Sequence, residues 1–249
     1  VPTELFVEMT KKVVKLNERF IPPYESGAAL YIRPLLIGTG AQVGVHPANE
    51  YLFMIFVTPV GPYFKGGFAT NDYVIIREFD RAAPLGTGTY KVGGNYAASL
   101  LPHEMARKAG YAVDLYLDPV EHRYVEEFGS SNFIAITRDG KYITPDSHSV
   151  LPSVTNDGLK QVARDLGITV EQRRIDFVKE FATFAEVAAC GTAVVITPVS
   201  EIVRLDTGEH FVLPTGDGCG PVLQKLYNAY TDIQWGKAED KHGWLRVIA

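Results

Sequence analysis

The chain opens with apolar positions at helical spacing. The stripe consists of Leu5, Met9, Val13, Leu16 and Phe20. This repeat predicts an amphipathic helix that is capped by Thr3 and ends before Ile21. Because the helical pattern starts directly after Val1, without an initiating methionine, we expect the chain to begin inside a domain and to be a fragment.

Extended segments follow this helix and are rich in aromatic and β-branched residues, which predicts strands. They are residues 29–37 (ALYIRPLLI), 51–60 (YLFMIFVTPV) and 74–79 (VIIREF). Pro84 and a run of glycines then interrupt the pattern. We therefore expect a domain boundary here, with a small-domain remainder at residues 1–82 and a large domain at residues 83–249.

The rest of the chain mixes helices, strands and hairpins. Helical patterns occupy residues 96–109, 159–166, 177–189 and 223–230. Strand patterns occupy residues 112–117, 133–137, 142–144 and 193–199. Asp139-Gly140 and Thr207-Gly208 are hairpin signals. This order predicts an α+β fold, because a regular βαβ series would alternate strands and helices.

Composition narrows the classes of function. The 249 residues are 46% apolar and 21% charged, with a net charge of −5, whereas a general nucleic-acid or anionic-membrane surface needs a basic excess. No apolar run approaches the roughly 20 residues of a membrane span. Cys190 and Cys219 are too few for a disulfide framework, so we expect a reducing, cytoplasmic setting. The histidines show no metal-ligand spacing, and we predict no catalytic metal.

One lysine lies among glycines in the segment GTGTYKVGGNY, residues 86–96. The segment is not a dinucleotide fingerprint, because Lys91 occupies the place of the third glycine. It is not a phosphate-binding P-loop either, because Tyr90 precedes the lysine and Val92 follows it. An ordinary solvated lysine is one interpretation. A nucleophilic lysine is the other, since flanking glycines let a planar carbonyl ligand approach the backbone closely.

Several segments together resemble the branched-chain amino-acid aminotransferases, which are pyridoxal 5′-phosphate (PLP) enzymes of fold type IV. PLGTGTYKVGGNY, residues 84–96, is similar to the cofactor-lysine segment of that family. Further matches follow in the family's order and extend over essentially the whole chain: YIRP (31–34), VGPYF (60–64), EFGSSN (127–132), LPSVT (151–155), GTA (191–193) and DKHGW (240–244). The resemblance implies a fold-type-IV, α+β architecture, in which a small α/β domain precedes a large domain with a β-barrel-like core and flanking helices.

The resemblance implies roles for three residues around the PLP ring. Lys91 would form a Schiff base with the cofactor and afterwards move a proton at the substrate. Glu127 would keep the pyridine nitrogen protonated. Strand alternation directs Glu126 and Glu127 to opposite faces, and the family's pattern of Glu followed closely by Gly and Asn implies that Glu127 points inward, with Glu126 facing solvent. Tyr96 would hydrogen-bond the phenolate oxygen of the cofactor, with a core tyrosine as the alternative.

The implied phosphate contacts lie on two other segments. Val154 and Thr155 precede a helix expected at residues 156–166, whose N-terminal N–H groups suit a phosphate. Simple capping of that helix by Thr155 is the alternative. The turn at residues 191–193 would direct Thr192 to the phosphate, and its backbone N–H groups, including that of Ala193, to the substrate carboxylate.

Three residues nearer the N-terminus would line the substrate site by the same resemblance. Tyr31 and Arg33 are two apart on one strand and therefore share a face. They would orient a carboxylate or the loop beside it, and a structural ion pair is the alternative for Arg33. Phe79 would supply apolar wall for a branched side chain, although an ordinary core phenylalanine has the same sequence pattern.

The activity implied is transfer of the amino group from leucine, isoleucine or valine to 2-oxoglutarate. D-amino-acid aminotransferases and aminodeoxychorismate lyase share the fold and the lysine, but the YIRP and KVGGNY segments favour the branched-chain group. Family members carry an earlier arginine that binds the PLP phosphate, and no residue here matches it. A non-catalytic, cofactor-poor fragment is therefore the second hypothesis. We expect a homodimer, because fold-type-IV sites borrow residues from the neighbouring subunit.

Overall fold

A computed structural model describes residues 1–61, 70–76 and 78–248. The chain forms two compact units, Val1–Lys65 with His242–Ala249, and Gly66–Lys241. This division falls before the boundary expected at residue 82. The VGPYF segment at residues 60–64 extends beyond the described residues, and so does Arg77 in the strand expected at residues 74–79.

The smaller unit is built on a hairpin packed against one helix. Its elements are α1 (Thr3–Leu16), β1 (Ala29–Thr39) and β2 (Glu50–Val60). The two strands pair antiparallel, as their composition predicts. On α1, the ring of Phe6 lies 5.9 Å from that of Phe53 on β2. The expected cap is wrong: Thr3 is already helical, and Pro2 occupies the N-cap position without a side-chain hydrogen bond.

The larger unit contains nine strands and four helices within the described ranges. They are β3 (Asn71–Ile75), α2 (Gly93–Lys108), β4 (Val113–Leu117), β5 (Val125–Phe128), β6 (Ser131–Thr137), β7 (Tyr142–Pro145), α3 (Val154–Asp165), β8 (Val170–Arg173), α4 (Phe177–Glu180), β9 (Phe184–Gly191), β10 (Val195–Arg204), β11 (Glu209–Val212) and α5 (Pro221–Gln234). None of the described helices combines the length and apolar character that crossing a membrane requires.

Six of these strands close into a ring, which confirms the expected barrel-like core. Hydrogen bonding runs from β3 through β4, β5, β6, β9 and β10 and returns to β3. Both pairings of β3 are parallel, and the other ring pairings are antiparallel. Strand β11 extends the sheet beyond β10, and β7 and β8 extend it beyond β6.

Apolar side chains fill the ring and also cover part of its outside. Val187 and Ala189 of β9 belong to the interior cluster with Phe128 of β5 and Phe133 of β6. The alternate β9 residues, including Ala188, pack outward against apolar residues of α3 and α5. Strand β9 is thus buried on both faces.

This double burial explains one wrong prediction. The helix expected at residues 177–189 ends at Glu180 as α4, a 3-10 turn follows at Phe181–Thr183, and β9 begins at Phe184. A strand that is apolar on both faces has no alternating pattern, so its sequence resembles a buried helix. Most other elements are confirmed with shifted ends: β3, for example, begins at Asn71 and ends at Ile75. Gly140 has a φ of 82° in the expected hairpin.

Candidate active site

The lysine-bearing loop is held to the start of α2 by a buried asparagine. The Nδ2 atom of Asn95 donates hydrogen bonds to the carbonyls of Thr87 at 2.7 Å and Tyr90 at 2.9 Å. The Thr87 hydroxyl donates to Oδ1 of Asn95 at 2.7 Å. Because every one of these bonds reaches the loop just before Lys91, Asn95 fixes the backbone from which the lysine side chain extends.

The glycines around the lysine have two different consequences. Gly88 packs so closely against residue 149 that an added Cβ would lie 2.3 Å from the Ser149 carbonyl oxygen. Only glycine allows this approach between two backbones. Around Gly93 and Gly94, by contrast, an added Cβ would meet no heavy atom within 4 Å. The glycines before Lys91 therefore serve packing, and those after it border open space.

Lys91 reaches a tyrosine of the following helix but is exposed. Its Nζ donates to the Tyr96 hydroxyl at 3.1 Å and lies 5.3 Å from the centre of the ring. In the described part of the larger unit, Lys91 is exposed and Tyr96 is half-buried. The glycines that follow the lysine carry no side chains that could cover it.

Glu127 is buried and surrounded by donors. Its Oε1 atom lies 2.8 Å from Nε of Arg81 and accepts from the Leu151 backbone N–H at 2.9 Å. Its Oε2 atom accepts from Nδ2 of Asn132 at 3.0 Å. Burial raises the pKa of Glu127 to about 7, while the positive charge of Arg81, the Leu151 N–H and the charge of Lys91 act in the opposite direction.

The neighbouring acid is also buried, which corrects the expectation that it faces solvent. Glu126 is 2% exposed, and its Oε1 accepts from the hydroxyls of Ser147, at 2.8 Å, and Ser149. Burial raises the pKa of Glu126, and the two serine hydrogen bonds lower it. The rule that only one of two adjacent strand residues is buried fails here, because the segment after β7 covers the second face.

Strand register brings the remaining predicted segments toward Glu127. Asn132 pairs with Glu127 on β5 and with Cys190 on β9. The turn that contains Thr192 and Ala193 follows directly after β9, so it lies at the same end of the ring. The predicted turn before a strand is therefore present, although the strand begins at Val195 rather than Ala193.

Helix α3 begins next to this group, shortly after Leu151. Ser153 is its N-cap and accepts from the Asn156 N–H at 3.1 Å, so capping by Thr155 is wrong. No described residue accepts a hydrogen bond from the backbone N–H groups of Val154 or Thr155. Burial raises the pKa of Tyr230, and a hydrogen bond with the Thr155 side chain opposes this shift. The Thr155 hydroxyl therefore already has a partner on α5.

The remaining predicted site residues are Phe79 in the larger unit and two residues of β1. Phe79 is half-buried and packs against the cluster of Val74, Ile76 and Ala106. Tyr31 and Arg33 belong to the smaller unit. The Arg33 guanidinium carbon lies 5.1 Å from the centre of the Tyr31 ring, which confirms that the two side chains share one face of β1.

Comparison with known proteins gives this group of residues a context. Residues 4–202 match the family described as amino-transferase class IV. The branched-chain-amino-acid aminotransferase of Haemophilus influenzae is 48% identical to this chain over 251 residues, covering 98% of this chain and 72% of that protein. The chain belongs to the branched-chain-amino-acid aminotransferases.

Solved structures of branched-chain aminotransferases have the same fold as this one. The Escherichia coli enzyme superposes with a TM-score of 0.80 at 28% identity, covering 100% of this chain and 76% of that one. The Thermobaculum terrenum enzyme in its PLP-form gives a TM-score of 0.76 at 25% identity, covering 96% of this chain and 73% of that one. These likenesses confirm the expected α+β architecture of fold type IV.

Sequence reasoning missed two buried residues of this aminotransferase that contact the lysine loop or Glu127. Asn95 lies inside the KVGGNY segment, and a polar residue next to two glycines at a predicted helix start could have drawn notice. Arg81 gave no local signal, because arginines before a loop are usually solvated. Its burial, at 5% exposure, arises only when the ring closes and the Ser149 segment packs over Gly88.

Proposed function

We propose that this aminotransferase catalyses PLP-dependent transfer of the amino group from leucine, isoleucine or valine to 2-oxoglutarate. The observation that carries the proposal is that Lys91 and the buried acid Glu127 lie in one compact unit. The lysine charge lies near enough to lower the pKa of the buried acid. Membership of the branched-chain family supports the choice of substrates.

The residues around Glu127 fit the ring of PLP. A carboxylate offers about four acceptor positions. The Leu151 N–H and Nδ2 of Asn132 donate to two of them, and Arg81 adds an ion pair without a hydrogen bond, so a position remains for a protonated ring nitrogen. The Tyr96 hydroxyl, next to Nζ of Lys91, is the group that would face the phenolate oxygen. Open space beside Gly93 and Gly94 suits a flat ligand.

The start of α3 and the turn after β9 fit the phosphate. The N–H groups of Val154 and Thr155 are available in the described structure, and a helix N-terminus carries partial positive charge. Because the Thr155 hydroxyl bonds Tyr230, we assign its backbone N–H rather than its hydroxyl to this role. Thr192 is exposed in the turn and would supply a hydroxyl.

When bound, PLP accepts the electron pair released as the substrate loses its Cα proton. Lys91 would hold the cofactor through its amine and, once released, carry that proton. Glu127 would keep a negative charge against the ring nitrogen, which makes the ring a better electron acceptor. Ala193 would present a backbone N–H to the substrate carboxylate.

Further parts of the proposed site rest on the resemblance. Tyr31 and Arg33 would orient a carboxylate, and Phe79 would contribute apolar wall. A homodimer would complete the site, as the fold-type-IV resemblance implies. Cys190 and Cys219 are free thiols, which supports a reducing, cytoplasmic setting.

Reductive trapping tests the cofactor role of Lys91. The chain is incubated with PLP, treated with borohydride and digested for peptide mapping. We expect a chromophore between about 330 and 430 nm and a label on the Lys91 peptide. Lys91→Ala should abolish both. The matched control is Lys108→Ala, since Lys108 is 73% exposed at the end of α2, and it should leave both unchanged. A label elsewhere, or none, contradicts the proposal and favours a cofactor-poor chain.

A substrate panel tests the choice of amino acid. The PLP-loaded chain is supplied in turn with L-leucine, L-isoleucine, L-valine and D-alanine, with 2-oxoglutarate as acceptor, and glutamate is measured. We expect glutamate from the three branched L-amino acids. Preference for D-alanine would assign the chain to the D-amino-acid aminotransferases, and release of pyruvate from aminodeoxychorismate would assign it to the lyases.

A further inference from the structure

Arg81 is a buried cation that contacts three separate segments of the larger unit. Its side chain is 5% exposed, and its Nε lies 2.8 Å from Oε1 of Glu127. Its Nη2 donates to the carbonyl of Gly88 at 3.0 Å and to the carbonyl of Ser149. One guanidinium therefore joins the lysine loop, strand β5 and the segment that leads into α3.

The geometry of this contact depends on the residues that it joins. A guanidinium is planar and presents its donors in a fixed fork, so its acceptors must lie in set directions. Gly88 lets its own backbone meet that of Ser149, with no space for a Cβ between them. The two carbonyls consequently lie close enough for one nitrogen of Arg81 to reach both.

The buried charge of Glu127 also requires Arg81 as its partner. Arg81 and Glu127 have side chains that are each 5% exposed, and a buried ion that loses its partner is strongly destabilised. The other titratable groups that act on Glu127 are Glu126, which disfavours its ionisation, and Lys91, which favours it. Cys190 lies near enough for Glu127 to raise the pKa of its thiol. Arg81 is the largest influence that favours the charged carboxylate.

We propose that Arg81 is a positioning residue of the aminotransferase site, which holds the Glu127 carboxylate and the Lys91 loop in a fixed relation. It acts through these two residues and touches neither substrate nor cofactor. The roles of Glu127 and Lys91 rest on the proposed function, but the contacts of Arg81 are present in the chain without cofactor. The test is therefore made there, so that it can fail independently of the trapping experiment.

The first measurement is the titration of the Glu127 carboxyl by NMR of the cofactor-free chain labelled with ¹³C at the glutamate carboxyls. The Glu127→Gln variant assigns the signal. In Arg81→Gln we expect the titration midpoint to rise by roughly one to three pH units, because a close opposite charge lowers a carboxyl pKa by that amount. In Arg81→Lys, which keeps the charge, we expect at least half of that shift to be reversed.

The second measurement is amide hydrogen exchange of the loop at residues 86–92, followed by mass spectrometry. Arg81→Gln can unfold the larger unit by leaving Glu127 unpaired, so the loop is compared in Glu127→Gln and in the double variant Arg81→Gln/Glu127→Gln. Glu127→Gln alone keeps the bonds from Arg81 to Gly88 and Ser149. Because Glu127→Gln leaves Arg81 without its charged partner, the two variants are compared with each other, and we expect exchange of the loop to be roughly ten- to hundredfold faster in the double variant than in Glu127→Gln.

Arg123→Gln is the matched control, because Arg123 also pairs with an acid of the larger unit, Asp176. It should change neither the Glu127 midpoint nor exchange of the loop. An unchanged midpoint in folded Arg81→Gln would overturn the effect on Glu127. Equal loop exchange in the double variant and in Glu127→Gln would overturn the effect on the lysine loop.

Discussion

The close approach of Gly88 to Ser149 makes Gly88→Ala the sharpest test of the packing described above. The new Cβ would lie 2.3 Å from the carbonyl oxygen, 2.6 Å from Cα and 2.7 Å from the carbonyl carbon of Ser149. Ordinary contacts between carbon atoms are about 3.5–4.0 Å, so the two backbones must separate by roughly 1 Å. All three atoms belong to backbone, and no change of rotamer relieves the clash.

The expected cost of Gly88→Ala combines two effects. Overpacking costs about 1–3 kcal/mol, and separating the backbones weakens the charged hydrogen bonds that Arg81 makes to both carbonyls, each worth about 1.5–3 kcal/mol. We therefore expect the free energy of unfolding to fall by at least about 2 kcal/mol. Gly94→Ala is the matched control, because its Cβ meets no heavy atom within 4 Å.

Urea denaturation followed by tryptophan fluorescence measures this difference. Trp235 lies in the larger unit and Trp244 in the smaller one, so a Trp244→Phe background leaves one reporter in the larger unit. In that background Gly94→Ala should be neutral or stabilising by up to about 1 kcal/mol, since alanine favours a helix over glycine. If Gly88→Ala is no less stable than Gly94→Ala, the close contact with Ser149 does not exist as described.

Three further predictions concern buried groups of the larger unit. The pKa of Glu127, about 7, lies above its ordinary value of 4.5. Between these two pH values the folded chain therefore holds one proton more than the unfolded chain. The free energy of unfolding should fall by up to roughly 3 kcal/mol as the pH rises through this range. Urea titrations across that range should show the slope in the wild type and not in Glu127→Gln, and equal slopes would contradict the burial of this acid. Glu186 accepts hydrogen bonds from the N–H groups of Val222 at 3.0 Å and Leu223 at 2.8 Å at the start of α5. Glu186→Gln should therefore lower the free energy of unfolding by about 1–3 kcal/mol. Glu201→Gln on β10 serves as the control and should have little effect. Gly158→Ala places a Cβ 2.5 Å from the Tyr230 ring and should cost about 1–3 kcal/mol in thermal denaturation; addition of Tyr230→Leu should recover part of that loss, and an additive double variant would rule out the contact.

The sequence predicted elements with one buried face better than elements buried on two. The hairpin of β6 and β7 was recognisable because Asp139-Gly140 marks its turn, and α5 because its apolar residues follow one stripe. Strand β9 was mistaken for a helix, since its residues contact apolar groups on both sides. An alternating hydrophobic pattern arises when one face of a strand is buried and the other is exposed, and both faces of β9 are buried.

The candidate site was predictable where its residues lie together in one short sequence motif. The segment around Lys91 identified Tyr96 as its neighbour, and the two are hydrogen-bonded. The burial of Glu126 and of Arg81 was not predictable, because each is covered by residues far along the chain. Ser149 contacts both Arg81 and Glu126 but follows a different strand. The sequence around Arg81 or Glu126 contains no pattern that predicts this packing.

Closure of the ring has a consequence for folding of the chain during its synthesis on the ribosome. Strand β3 is translated early, yet its partner β10 follows only after all the other ring strands have emerged. At about 5–20 residues per second, one edge of β3 stays without its neighbour for several seconds of synthesis. Nascent chains arrested before β10 should therefore recruit chaperones along that edge, and release of these chaperones should coincide with the appearance of β10.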